Sequence, residues 1–233
     1  HGAKMRRYQD IIETGMMTDL NALFAAMQTQ DYGSVDSTLA NANVLNMVNT
    51  KYIIINPETQ PVVNRHALGN AWFVNSVRLV ENADEDMAAL ATIDLDKEVT
   101  LDARYEGMLE QTSFQPDASA SIRLSEYEPN RMVYASESGT EQLAVFSEVF
   151  YEKGWQAFID GEEVDHLRVN YLLRGLVVPG GSHEIVFEFR PKSYYTGTTI
   201  SIISSLLLLL LCAGAIYLQF KGKTADKDEL IDL

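Results

Sequence analysis

Residues Leu143–Val164 read LAVFSEVFYEKGWQAFIDGEEV, and the way this stretch must be laid out governs the rest of the chain. In its first part Leu143, Val145 and Val149 alternate with Ala144, Phe146 and Phe150. Successive side chains of a strand point to opposite faces, so a run that is apolar on both parities predicts an inner strand. Trp155–Ile159 and Glu162–Val164 are then separated by Asp160-Gly161. Asp-Gly between two extended runs predicts a hairpin, because both central residues of a tight turn must reach positive φ. Downstream, Leu172–Val178 and His183–Phe189 flank Pro179-Gly180-Gly181 and are expected to form a last strand pair. In it His183, Ile185, Phe187 and Phe189 share one face, opposite Glu184, Glu188 and Arg190. Upstream, Ile122 and Leu124 precede a Pro129-Asn130 turn, Met132 and Tyr134 follow it, and Gly139 closes the segment. Short alternating runs at near-regular spacing predict an antiparallel β-sandwich over residues 98–191.

Beyond Pro191 the pattern changes to Gly197–Phe220, GTTISIISSLLLLLLCAGAIYLQF, with no charged side chain. At about 1.5 Å per residue this stretch crosses a hydrocarbon core of about 30 Å with some tilt. Tyr194, Tyr195 and Tyr217 stand where amphipathic rings sit at a membrane interface. Residues 192–220 are therefore read as a transmembrane helix with its interfacial start, and 221–233 as a short tail. The short connection predicts a sandwich held near the bilayer surface. Arg190 and Lys192 on one side balance Lys221 and Lys223 on the other, so basic residues do not set the orientation.

The first third reads as helix and then as mixed structure. Met5, Tyr8, Ile11 and Ile12 recur at helical spacing with Gly15 as a stop, and Leu20, Leu23, Phe24 and Met27 repeat the pattern. A third helix is expected over Ser37–Val48. Lys51–Asn56 is a β-branched run ended by Pro57 and reads as a buried strand. Trp72–Val74 and Val77–Val80 are extended, and Ala83–Ala91 is helical with Asp84, Glu85 and Asp86 in its first turn. Residues 1–97 are thus expected to form a small unit, and the whole is of the α+β class.

A formal net charge of −15 excludes a nucleic-acid partner, since an acidic surface repels phosphates and no basic stripe with interleaved aromatics is present. The single cysteine, Cys212, lies inside the span and leaves no disulfide within the chain. His1-Gly-Ala-Lys4 is neither an initiator nor the basic start of a signal peptide, so the chain reads as part of a longer protein. A tail-anchored cytoplasmic protein is the competing reading.

The usual catalytic signatures are missing. His1, His66, His166 and His183 have no partners at metal-ligand spacing, and there is no nucleophile elbow or phosphate-binding glycine loop. No catalytic residue, metal ligand or cofactor is assigned. Glu162 and Glu163 point to opposite faces of a strand and cannot work as an acid and base pair. Two features offer recognition. Trp155 and Trp72, with Tyr151, Phe158 and Phe73 nearby, form either a stacking platform for a sugar ring or, the reading favoured here, two core anchors. Lys4, Arg6 and Arg7 either meet anionic headgroups or a pyrophosphate or, again the favoured reading, line a solvated helix face.

The string Tyr151-Glu-Lys-Gly-Trp155, with Phe158–Gly161, Asn170-Tyr171, Arg174-Gly175, Val178–Gly181, His183 and Phe189-Arg-Pro191, resembles the C-terminal region of the bacterial YfhO-like membrane proteins. His1–Lys4 with Arg7-Tyr8-Gln9, Leu45–Tyr52 and Gly69–Val74 are similar to upstream parts of that family in its Bacteroides-type form. The resemblance implies a large multi-pass protein of the cell envelope, related to glycosyltransferases that use polyprenyl-phosphate sugars outside the membrane. It implies that this chain is the last extracytoplasmic domain and final span, in the bacterial inner membrane, with a cytoplasmic tail. Its partners would be the lipid bilayer, the upstream transmembrane region of the same protein, and a polyprenyl-phosphate sugar or envelope glycan. Catalytic acidic residues of such enzymes lie near the protein start, so the fragment itself would be non-catalytic. A membrane-tethered carbohydrate-binding module and part of a transport permease are the alternatives.

Replacing Leu208 and Leu209 together by arginine places two charges at the centre of the span, at about 2.5–3.5 kcal/mol each for membrane insertion. The expected outcome is a shift of the chain from the carbonate-resistant membrane pellet to the extractable fraction.

Overall fold

The computed structural model describes residues 5–29 and 31–228, with side chains to residue 218. The chain divides between Phe189 and Arg190 into two units. The first begins in helix, as the apolar spacing requires: α1 (Arg6–Asp10) continues through a π-helical turn (Ile11–Met16) into α2 (Met17–Gln28). Gly15 does not end the helix. A Cβ at this position would lie 2.8 Å from Val44 Cγ2, so the glycine marks a close approach instead of a stop. Two helices, α3 (Tyr32–Ala40) and α4 (Asn43–Met47), replace the single one expected over Ser37–Val48. The break is stabilised from a distance: Asp19 Oδ2 accepts from Val44 N at 2.9 Å and Leu45 N at 3.0 Å, satisfying two otherwise orphan donors at the start of α4.

The β-branched run at Lys51–Asn56 is not a buried strand. Only β1 (Tyr52–Ile53) pairs, with β2 (Val62–Val63), and only Ile53 turns inward, onto Leu23, Leu39 and Leu45. Tyr52, Ile54 and Ile55 are exposed. Flanking Pro57 and Pro61 remove donors from the ladder, which keeps this hairpin short and apart from the main sheets.

The remaining elements of the unit are β3 (Ala71–Val74), β4 (Ser76–Val80), α5 (Ala83–Leu90), β5 (Glu98–Asp102), a 3₁₀ turn (Ala103–Met108), β6 (Ser121–Glu128), β7 (Arg131–Ser138), β8 (Gln142–Val149), β9 (Trp155–Ile159), β10 (Glu162–Val164), β11 (Leu167–Val169), β12 (Leu173–Val178) and β13 (Gly181–Phe189). They build a six-stranded sheet in the order β3-β8-β12-β11-β5-β4 and a five-stranded sheet in the order β10-β9-β13-β7-β6. Every pair is antiparallel except β4 and β5, which run parallel because α5 carries the chain back between them.

Period-two alternation sorts the side chains into two cores. Ala144 and Phe146 of β8, with Leu176 and Val178 of β12, meet Met132, Tyr134, Ala157, Ile185 and Phe187 of the other sheet. Leu143 and Val145 of β8, with Leu173 of β12, point the other way, onto Ile11, Val44, Met47, Leu90 and Ile93 of the helical layer. The α+β class thus takes the form of helices, a mixed sheet and an antiparallel sheet in three layers. The change of pattern near residue 97 falls between the paired strands β4 and β5, within one shared core.

Leu173–Val178 and Gly181–Phe189 are not hairpin partners. β12 pairs with β8, whereas β13 pairs with β7 and β9 in the opposite sheet. Pro179-Gly180 therefore crosses from one layer to the other, and the chain at Gly139–Thr140 crosses beside it. A Cβ on Gly180 would meet Thr140 Cα at 3.0 Å, so the two crossings pack backbone against backbone. The Asp160-Gly161 turn has φ of 52° and 88°, as a tight hairpin requires.

The second unit is one helix, α6 (Lys192–Asp228). Its segment Lys192–Leu218 has a mean hydropathy of 2.4 over the most apolar window, none of it buried, and is long and apolar enough to cross a membrane. Tyr194 and Tyr195 lie at the start of this helix, within the residues 192–220 expected for it.

Phe146 is fully buried and stands edge-on to Tyr134 at 4.8 Å and Phe187 at 4.9 Å. Phe146→Ala opens the centre of the sandwich and is expected to cost about 3–5 kcal/mol, measured by denaturant unfolding of the chain in detergent.

Candidate functional site

A cleft of about 660 Å³ opens where the end of α3, the start of α4, the segment before β3 and the loop after α5 come together. Its size falls in the range of small-ligand sites. The lining joins Trp72 to polar side chains: Asn41, Asn43, Asn46, Arg65, His66, Asp94 and Asp96. Several are held rigidly by the scaffold. Trp72 Nε1 donates to Leu95 O at 2.8 Å, which fixes the indole against the loop. Asn43 Nδ2 donates to Leu90 O and Ile93 O, and Asn46 Nδ2 donates to Leu39 O while its Oδ1 accepts from Asn64. His66 Nε2 lies 3.2 Å from Asp36 Oδ1, and Lys97 Nζ 2.7 Å from Asp94 Oδ2. Arg65 and Asp96, by contrast, make no hydrogen bond or ion pair among the described residues. An aromatic face beside fixed amides and exposed charged groups is an arrangement suited to a polyhydroxylated ring, which offers apolar C–H faces and many hydroxyls.

Of the four residues singled out in the sequence, Trp72 alone lines this cleft. Arg65, Asp94 and Asp96 carried no sequence signal, since they stand in loops without a motif. Arg7 lies elsewhere, and it is not a solvated helix face. Its Nη1 donates to Tyr171 O at 3.2 Å, stands 3.7 Å from Asp86 Oδ2, and its guanidinium covers the Tyr171 ring at 4.4 Å. Tyr171 OH donates to Asp10 Oδ2 at 2.8 Å. Thr100 Oγ1 donates to Asp86 Oδ1 at 2.6 Å, and Thr100 N to Asn170 Oδ1 at 3.0 Å. Asp102 Oδ2 accepts from Arg104 Nε and Nη2 at 2.9 and 2.6 Å and lies 3.5 Å from Arg168 Nη2. Burial pushes the Asp86 carboxyl up, against the Thr100 hydrogen bond and the charges of Arg7 and Arg168. Burial pushes Arg168 down, and the neighbouring Arg7 and Arg104 charges add to the effect. Asn170 and Tyr171 have φ of 46° and 67°, a left-handed backbone that asparagine tolerates and that costs a residue such as tyrosine about 1–2 kcal/mol. Lys4 and His1 lie outside the described residues.

Residues 109–201 match the family described as bacterial membrane protein YfhO. Over this stretch the chain is YfhO-like. No curated protein and no solved structure matches it. The YfhO match spans β6 to β13 and the beginning of the apolar helix, so with that helix the chain is a membrane protein. Arg168, Asn170 and Tyr171 fall inside the YfhO stretch, whereas Arg7 and the cleft residues lie upstream of it.

Trp155 and Tyr151 also lie in the YfhO stretch, but the structure does not bring them to Trp72. Trp155 joins the core between the two sheets, while Trp72 packs against the core between sheet and helices. Tyr151 is 6.4 Å and Trp155 5.3 Å from the Phe189 ring. Beneath Trp155 lies Arg174, 1% exposed, its guanidinium 4.1 Å from the indole and 5.1 Å from the Phe187 ring. Arg174 stands at a register irregularity between β8 and β12, and its Nε donates to Val149 O at 3.1 Å. Burial pushes Arg174 down to about 10. Beside it His166 stands 5.1 Å from Phe150 and 5.7 Å from Phe187, and burial together with the Arg174 charge pushes it down to about 4.

His166 is therefore neutral when folded and takes up a proton near its ordinary value of 6.5 when unfolded. Between pH 6.5 and about 4, unfolding binds a proton, and acidification destabilises the fold by up to about 3 kcal/mol. Unfolding of wild type and His166→Phe across this range is expected to show that the variant lacks this component of the pH slope.

Proposed function

We propose that the domain is an accessory, saccharide-receiving part of a membrane glycosyltransferase that uses polyprenyl-phosphate sugars in cell-envelope glycan modification. The observation that carries this reading is the cleft beside Trp72, where an indole fixed through Leu95 stands among amides and the exposed charged groups of Arg65 and Asp96. The YfhO match supports a membrane setting for it. In this reading the domain positions an acceptor or covers the mouth of an active site built by membrane helices of the same polypeptide. The described residues supply recognition, and sugar transfer belongs to those helices. The domain faces the extracytoplasmic side of the bacterial inner membrane, and the tail after the span is cytoplasmic.

The same cleft supports a second reading, a carbohydrate-binding module tethered by its helix. Sugar-transfer assays with the polypeptide in membranes separate the two: cleft variants lower transfer in the first reading, and no transfer depends on the polypeptide in the second.

Applied to an array of bacterial envelope oligosaccharides, the chain in detergent is expected to bind at least one class. Trp72→Ala should abolish that binding, and the surface variants Arg65→Ala and Asp96→Asn should weaken it about tenfold, or about 1.4 kcal/mol. Failure to bind any saccharide would count against the cleft. Orientation is read by a Glu162→Cys substitution in a Cys212→Ser background, with the outer membrane made permeable. Labelling by a membrane-impermeant reagent in intact cells is expected, and labelling only after lysis reverses the assignment.

A further inference from the structure

We infer that Arg7, Arg104 and Arg168, gathered around the rings of Tyr105 and Tyr171, bind a phosphate group. Three guanidiniums from α1, the 3₁₀ turn and β11 converge here in a chain whose net charge is −15. Each lies over an aromatic ring: Arg7 at 4.4 Å from Tyr171, Arg104 and Arg168 at 5.2 and 5.5 Å from Tyr105. Stacking of this kind fixes a guanidinium while leaving its N–H edge for an anion.

Each arginine has a carboxylate in ion-pair range, Arg7 with Asp86 and both Arg104 and Arg168 with Asp102, but these pairs do not satisfy every guanidinium donor. Asp102 Oδ2 already accepts two hydrogen bonds from Arg104, and at 3.5 Å it is too far for a charge-assisted bond to Arg168 Nη2. Asp86 Oδ1 accepts from Thr100 Oγ1, and its Oδ2 lies 3.7 Å from Arg7. Asp10 accepts from Tyr171 OH. Arg168 is consequently left with buried Nε and Nη2 donors that make no hydrogen bond among the described residues. Buried donors of a charged group in that condition call for an acceptor. Arg7, Arg104 and Arg168 are respectively 21%, 56% and 14% exposed in their side chains, so the cluster opens to the surface through Arg104.

The backbone reinforces the geometry. Asn170 and Tyr171 are consecutive, buried and in left-handed conformation, and this places the Tyr171 carbonyl and ring under Arg7. Strained backbone held by its surroundings is characteristic of sites where side-chain placement matters more than local stability. A dianionic tetrahedral group suits three forked cations better than a single carboxylate does, because its oxygens accept from several guanidiniums at once. The inference stands apart from the saccharide cleft, with which it shares no residue.

Inorganic diphosphate is the probe. The full chain, reconstituted in phosphatidylcholine nanodiscs, is expected to bind it saturably in calorimetry, with affinity lowered about tenfold by Arg104→Gln and lost in Arg168→Gln. Arg104 is exposed, so its variant, together with Arg7→Gln, decides the matter if Arg168→Gln does not fold. Arg65→Ala in the cleft should leave diphosphate binding unchanged. Repeating the titration with phosphatidic acid in the nanodisc identifies the source: displacement of diphosphate indicates a lipid headgroup, and undiminished binding a soluble phosphate compound. Absence of saturable binding, or binding equal in wild type and the Arg104 and Arg7 variants, overturns the proposal.

Discussion

Strand β8 has to hide both of its faces at once. Leu143 and Val145 on one side and Ala144 and Phe146 on the other are all fully buried, which no two-layer structure with a solvated outer face can provide. Covering the first pair requires the helices of residues 6–47 and α5, and covering the second requires the sheet that contains β13. The three layers of the unit follow from that double demand. So does the path of the chain, which crosses between sheets at Gly139–Thr140 and again at Pro179-Gly180 so that strands from one stretch of sequence serve both sides. That the helical layer and both sheets share buried clusters also explains why neither the helical part nor the sandwich needs to be stable alone.

Where β8 departs from regularity, its polar residues take on other tasks. Ser147 leaves the ladder with β12 and donates to Met47 O and Gly69 O, tying the sheet to the helical layer. Arg174, under Trp155, stands at the same irregularity. Both arginine sites, Arg174 in the sandwich and Arg168 beside the helices, place a guanidinium where desolvation works against its charge. They differ in surroundings. Arg174 lies among Trp155 and Phe187 and is almost wholly enclosed, consistent with a role in holding the core, whereas Arg168 belongs to a group of three cations that reaches the surface.

Much of the strand pattern can be read without coordinates. β6, β7, β9, β10 and α5 fall where alternation, turn residues and an acidic first turn put them, because these signals act between neighbours in sequence. Gly15 misleads for a different reason. Its helix-breaking tendency is outweighed by the close approach of Val44, a contact across about thirty residues that local propensity does not contain. Lys51–Asn56 misleads in the opposite sense, since its apolar composition resembles that of a core strand although only Ile53 finds a core to join. Of the candidate site, Trp72 was identifiable as a large aromatic worth attention, but Arg65 and Asp96 are ordinary loop residues until the fold brings them to the same cleft.

By itself, the order of residues determined the apolar helix, the hairpin at Asp160-Gly161 and the two-faced character of β8, for each rests on composition or periodicity over a short stretch, while the likeness to YfhO proteins rests on particular strings shared with that family. The assignment of strands to sheets, the sharing of one core across residue 97, and the meeting of Arg7 with Arg168 were decided by tertiary structure alone. Burial on both faces of a sheet and the pairing of buried charges are satisfied by whichever distant residues can be brought into contact, and sequence separation carries no information about which those are.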